Sequence, residues 1–379
     1  MPIDFHIVEV PVGHGWALES LANLSSEISI ETYGEDRTIS LATLSHVHAD
    51  ERNGIRGFLM TLLGAHDPAA PRGRFGLSLP PSHPVEVLAT AEFHLPTRDN
   101  THLADDAWLQ VGSNHRRQGI GRALWQEVAR IARDRERSTL LMWSDHLIEG
   151  SDRCLPWVAP STGVGEIPLG AASGFAMAMG HSLEQVERQS RLLLPVDPGR
   201  LALLRTSAES AFRRYRVESW PGAADAGRAN ALAALNRALS TDAPRGGIDW
   251  QAEDWDAERV RGQEARMLLT GQLLTSIAYE PTTGDAVAMT QLYCEYDHPH
   301  RVEQWNTVVT ADHRGARLGL AVKVANLQLL ASVWRQAREI TTWNAGENAA
   351  MLSINTELGY RPYALSAAWQ RRIDDPAGG

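Results

Sequence analysis

Apolar and polar positions along the chain divide it into elements of two periods. Alternation over residues 4–10 predicts a first strand, and apolar positions at helical spacing over residues 17–28 and 39–63 predict two helices. The proline-bearing stretch 67–84 predicts a loop. Strands are expected at 85–95 and 107–111, followed by a helix to about residue 135 and a strand at 139–143. Beyond a polar stretch at 144–170, residues 191–195 close this first set, and Asp197-Pro198-Gly199 supplies turn chemistry. A second set then follows: strands at 215–220, 273–279, 286–294, 304–309 and 340–343, helices at 227–239, 255–269, 319–337 and 349–358, and a final strand pair within 363–373.

The two sets are copies of one another. The segment HRRQGIGRALWQEVARIARDRERSTLLMW starts at His115, and an altered version, HRGARLGLAVKVANLQLLASVWRQAREITTW, starts at His313. Upstream, Val87-Leu88-Ala89-Thr90 is echoed by Val287-Ala288-Met289-Thr290, so the duplication includes strands as well as the loop and helix. A chain of 379 residues accommodates two cores of ordinary size, and we expect domains at 1–196 and 197–379. In the first copy Arg116-Arg117-Gln118-Gly119-Ile120-Gly121-Arg122 leads into a helix. Glycines there let a ligand approach the backbone, and the unpaired first-turn N–H groups with nearby arginines suit a pyrophosphate. Neither a Walker phosphate loop nor a dinucleotide fingerprint is present.

Arg116, Gly119 and Gly121 fill motif A of the GNAT acyltransferase superfamily, and the chain resembles that family in a tandem, mycothiol-synthase-like organisation. The resemblance implies an α/β (α+β) fold of two GNAT-like domains, each a mixed, mostly antiparallel twisted sheet flanked by helices. It also implies acetyl-CoA, or coenzyme A, as co-substrate. In the second copy Arg314 and Gly319 match, but Arg317 stands where motif A has its first glycine. Residues 348–360 resemble motif B, with Asn355 at the position where the family commonly has a proton-donating Tyr, while the first copy lacks motif B. By resemblance, the ends of the strands at Leu109, Val111 and Val309 hold the thioester arm through backbone N–H groups, and Asn344 faces it from the opposite strand. The expected general base is Glu303, with Glu295 nearby; Glu92, Asp105 and Asp106 are the first-copy candidates.

Charge narrows the acceptor. Lys plus Arg of 36 against Asp plus Glu of 46 gives a net −10, which opposes attraction to nucleic acid and to anionic membranes. Cys154 and Cys294 are too few for a disulfide framework or thiolate metal site, and neither has a nucleophile setting. His46/His48 and His298/His300 lack a third ligand, so no metal is expected. With no signal-like segment, a cytoplasmic protein is expected. The reading is transfer of an acetyl group from acetyl-CoA to a primary amine of a small molecule, by direct attack in a ternary complex. A non-catalytic acyl-CoA-binding or sensory protein is the alternative, and a weaker one is an aminoacyl-tRNA-dependent transferase, which the acidic balance opposes. The oligomeric state leaves no mark in the sequence.

Overall fold

A computed structural model of the chain describes residues 3–148 and 155–373. Contacts group it into two compact units. The first comprises the chain up to Val186, Gly247–Asp249 and the chain from Leu365; the second comprises Glu187–Gly246 and Trp250–Ala364.

The first unit opens with β1 (Phe5–Glu9), α1 (Gly15–Tyr33) and α2 (Leu41–Ala49), the last capped by Ser40, whose side chain accepts from the Thr43 N–H. There follow β2 (Gly54–Leu63), β3 (Val87–Pro96), β4 (Leu103–Val111), α3 (Ile120–Asp134), β5 (Thr139–Leu147), a short hairpin of β6 (Trp157–Val158) and β7 (Ile167–Pro168), α4 (Ala171–Ala178) and the first part of β8 (Ser182–Leu193). The helix expected over 39–63 is only nine residues long, because Gly54–Leu63 is a strand. Its sequence GIRGFLMTLL is apolar on both faces, since α2 covers one and α3 the other, so no alternation marked it. β1 through β4 pair antiparallel in sequence order, and β5 joins β4 in parallel. α3 buries Leu124, Trp125, Val128 and Ile131 over β3 and β4, and the other face carries α1 and α2 over Val8, Phe58, Met60 and Leu62.

The second unit repeats this plan with α5 (Pro198–Ser207), α6 (Glu209–Arg214), β9 (Arg216–Pro221), α7 (Ala226–Asp242), α8 (Ala257–Thr270), β10 (Gly271–Tyr279), β11 (Ala286–Glu295), β12 (Arg301–Val309), α9 (Leu318–Val333), β13 (Glu339–Ala345), α10 (Ala349–Leu358) and β14 (Arg361–Arg372). Asp225 and Asp256 cap α7 and α8 by accepting from the N–H three residues on. β9 through β12 are antiparallel neighbours and β12 meets β13 in parallel. The expected closing strand pair is a single long strand, β14.

The contact grouping places the second half of β8 with the second unit and the end of β14 with the first. Glu187–Leu193 forms an unbroken antiparallel ladder with Glu339–Ala345 of β13, which ties it to the second unit. Conversely, Ala367 and Trp369 are buried in the first core, where the Trp369 indole N–H donates to Ser144 Oγ at 2.9 Å. Among the described residues no helix is long and apolar enough to cross a membrane, and no group of three or more His, Cys, Asp or Glu is placed to hold a metal.

Candidate active site

Both loops between strand and helix have one backbone path, built from different residues. In the first unit Arg117 and Gly119 take left-handed backbone, with φ of 64° and 83°. In the second the corresponding residues are Gly315 and Arg317, at 79° and 61°. Each loop thus spends one glycine and one arginine on two left-handed positions, in opposite order, and an L-residue there costs about 1 kcal/mol. Arg317 therefore fits the loop without breaking it. A Cβ at Gly119 would meet nothing within 4 Å, so the position is open as well as left-handed. Close approach falls instead on the next glycine: a Cβ on Gly121 would lie 3.3 Å from Val111 Cγ2 and 3.5 Å from the Phe175 ring, and one on Gly319 would lie 2.9 Å from Ile354 Cδ1.

The first arginine of each loop has a structural partner. Arg116 donates through Nε to the Val111 carbonyl at 3.1 Å and through both terminal nitrogens to Glu31 on α1, at 2.7 and 2.5 Å. Arg314 donates to the Val309 carbonyl at 3.2 Å and to Asp242 on α7 at 2.7 Å. The Arg116 hydrogen bond holds the Glu31 carboxyl below its ordinary range. Of the three arginines expected as counter-charge to phosphate, Arg116, Arg117 and Arg122, the first has its guanidinium engaged in bracing strand, loop and helix. Arg117 and Arg122 are exposed and have no side-chain partner among the described residues, and Gln118 turns its amide to the Asn114 carbonyl at 3.1 Å. In the second loop Arg317 is bound by Ser207 and Glu357, and the residue matching Arg122 is Leu320. Among the described residues, only the first of the two loops has arginines without a side-chain partner.

The strands beneath each loop separate. β4 pairs with β5 at Leu103, Ala104 and Ala107, with Asp106 bulged between at φ 45°, and among the described residues Trp108 to Val111 have no partner on β5. β12 pairs with β13 only from Arg301 to Glu303. Leu109, Val111 and Val309, expected at such strand ends, stand in these openings.

Carboxylates gather on the α1 face of the first unit. Ala91 and Phe93 face the α3 core, so alternation sends Glu92 to the opposite face, across from Trp108 at the start of the opening. Arg56 of β2 reaches Asp106 at 2.8 Å and Glu92 at 3.5 Å, and the Trp108 indole donates to Asp106 at 3.2 Å. Asp105 is buried and accepts from the His94 ring at 2.8 Å. Desolvation pushes the Glu92 carboxyl up to about 7; Arg56 pulls against this and Asp106 adds to it. Its side chain remains 27% accessible, enough to meet a ligand.

In the second unit Glu303 lies across from Tyr293 and accepts from the Trp305 indole at 3.0 Å. Burial raises its carboxyl above the ordinary range, helped by Glu295 and opposed by Trp305. On the other face Asn355 of α10, at the usual Tyr position, donates to Asn344 at 2.6 Å and accepts from the buried Lys323 at 3.1 Å. Burial also pushes the Cys294 thiol up to about 11, an inert state at neutral pH, and Cys154 lies outside the described residues.

The structure therefore brings Arg116–Arg122, Leu109 and Val111 together in one unit, and Arg314, Gly319, Val309, Asn344 and Glu303 in the other. Sequence reasoning missed Arg56, His94, Glu31 and Lys323. Two of these left a signal, since Arg56 and Lys323 are lone charged residues in otherwise largely apolar elements.

Residues 81–149 match the model of the Acetyltransferase (GNAT) family, the segment that holds β3, β4, the first loop and β5. Across solved structures the chain is similar to a tandem GNAT protein from the clavulanic acid biosynthesis pathway, at 19% identity and TM-score 0.69, covering 98% of this chain and 99% of that one. A GCN5-related N-acetyltransferase from Sphaerobacter thermophilus aligns at 13% identity and TM-score 0.58, over 97% and 96% of the two chains. The Saccharomyces cerevisiae N-myristoyltransferase with bound myristoylCoA aligns at 10% and 0.54, over 98% and 84%. No curated protein matches the chain in sequence. The chain has the tandem GNAT fold, with acyl transfer as the reaction class that its family-matched segment supports.

Proposed function

We propose that the protein is an N-acyltransferase that moves an acetyl group from acetyl-CoA to a primary amine of a small molecule, with the coenzyme held by the first unit. The observation that carries this is the charge asymmetry of the loops. Arg117 and Arg122 are free beside a helix start in the first unit, whereas both second-loop arginines are neutralised by Asp242 and Glu357. Arg116 keeps a role in shaping the loop, through Glu31. Glu92 is the base this geometry favours: a carboxyl at about 7, on the face that leads to the opening, takes a proton from an ammonium at neutral pH. The amine nitrogen then bonds to the thioester carbon in a ternary complex, the C–S bond breaks, and the thiolate leaves to be protonated.

A second reading assigns the chemistry to the second unit with Glu303 as base, favoured by the rise that burial gives its carboxyl. Thiol release from acetyl-CoA over a panel of amines tests the function, and coenzyme binding without release on any acceptor would favour a sensory protein. Calorimetry should find one coenzyme A per chain. A stoichiometry of two would show that the second loop accepts phosphate despite its paired arginines.

A further inference from the structure

The two copies differ in the connection between their second and third strands. In the second unit residues 280–285 make a tight turn from β10 to β11, closed by the Gly284 N–H on the Glu280 carbonyl at 2.8 Å. In the first unit residues 64–86 take its place, and they fold back onto β1 and α3. The Glu9 carboxylate, only 3% exposed, accepts from the Arg74 and Phe75 N–H groups at 2.8 and 2.7 Å, and the Glu9 N–H donates to the Ser78 carbonyl at 2.9 Å. Arg130 of α3 donates to the Phe75 carbonyl at 3.1 Å. Gly73 is required there, because a Cβ on it would lie 2.4 Å from the Glu9 carboxyl. A connection of this length, pinned by a buried carboxylate, is more than a link between strands.

The segment, β1 and α3 enclose a cavity of about 300 Å³, at the small end of ligand sites. Its apolar wall is Phe5, Ile7 and Leu77, each half-buried against the α3 core. Its polar groups are unequal. Glu127 is paired with Arg130 at 2.7 Å, and His6 is held by the Gly64 carbonyl at 2.8 Å. Arg72 donates to the Gly76 carbonyl at 2.7 Å, but among the described residues no carboxylate meets it. Ser78 is 5% exposed, and its hydroxyl comes only to 3.5 Å from the His66 ring nitrogens, the outer limit of a hydrogen bond. The cavity thus offers one unneutralised cation, one buried donor without a close partner, and an apolar wall. The opening between β4 and β5 is elsewhere, since β4 is three strands from β1, roughly 14 Å at ordinary strand spacing.

We propose that this cavity is a second small-molecule site of the first unit, taking a monocarboxylate with a short apolar tail. Arg72 and the Ser78 hydroxyl meet the carboxylate as charged and neutral donors, and Phe5, Ile7 and Leu77 cover the tail. Glu127 narrows the choice, since an acceptor-only group in the wall opposes a second carboxylate on the ligand. The inference stands apart from the acyl-transfer reading, because neither the phosphate loop nor Glu92 lines the cavity.

The probe is 4-methylpentanoate, titrated into the full chain and followed by calorimetry and by methyl resonances. It should bind saturably and shift the Ile7 and Leu77 methyl resonances, identified by their loss in Ile7→Val and Leu77→Met. Acetate, which has the carboxylate without the tail, and glutarate, which adds a second carboxylate, should each bind at least tenfold more weakly. Arg72→Gln should weaken 4-methylpentanoate binding at least tenfold and, because the side chain is exposed, leave the melting temperature and any coenzyme A affinity unchanged. The double variant Arg117→Gln, Arg122→Gln should bind 4-methylpentanoate as the parent does, which separates the cavity from the phosphate loop. Absence of saturable binding overturns the proposal. So does binding that is undiminished in Arg72→Gln, that is lost in the double variant, or that is as tight for glutarate.

Discussion

Replacing Gly119 with Asp is expected to weaken coenzyme A binding by about 100-fold, close to 2.7 kcal/mol, with the fold intact. Two opposing considerations set the size. The left-handed backbone at Gly119 disfavours any side chain by about 1 kcal/mol. The loop tolerates that much, because Arg317 holds the matching position at φ 61°. Space is not the obstacle, as a Cβ there meets nothing within 4 Å. What remains is charge: a carboxylate at the helix start opposes the macrodipole interaction that favours a phosphate there, and it offsets Arg117 and Arg122. Gly119→Ala, which adds strain without charge, should therefore cost less than tenfold, and Arg117→Gln with Arg122→Gln should flatten the salt dependence of binding. Calorimetry on variants that melt cooperatively reads all three. Equal affinity in Gly119→Asp and the parent protein would remove the coenzyme from this loop.

The loop was legible in the sequence because its chemistry is local. Arg116, Gly119 and Gly121 lie within six residues, and the helix after them has a clear apolar face of Leu124, Val128 and Ile131. Features that depend on distant partners were not legible. Glu31 captures Arg116 from 85 residues away, so one of the three arginines expected at the phosphates is engaged elsewhere. Gly54–Leu63 gave no periodicity because both its faces are covered. β8 and β14 were placed by chain order, whereas the ladder with Glu339–Ala345 and the burial of Trp369 are tertiary matters that no local pattern encodes. The duplication was plain from sequence, but its divergence required geometry. Both copies keep the same left-handed path and the same Arg-to-helix brace, so the backbone persists while free charge persists in one copy only.

Glu92→Gln is expected to lower kcat by about 100-fold or more, as for loss of a general base. A base works when deprotonated. With its carboxyl raised from 4.5 to about 7, activity of the parent protein should fall as pH drops below about 7, not below 4.5. Glu92→Gln should lose that acid limb and retain only the rise that follows deprotonation of the acceptor amine. Arg56→Gln removes the cation that favours the carboxylate, so it should move the limb to higher pH. The same shift has a consequence for stability. Between pH 4.5 and about 7 the folded protein binds more proton at Glu92 than the unfolded chain does, so this group's contribution to stability is present below 4.5 and lost as pH rises through about 7. Denaturant midpoints of Glu92→Gln should lack that dependence, a readout that needs no substrate. Glu303→Gln separates the two units: it should leave the acid limb in place, and if it abolishes turnover while Glu92→Gln does not, the chemistry belongs to the second unit.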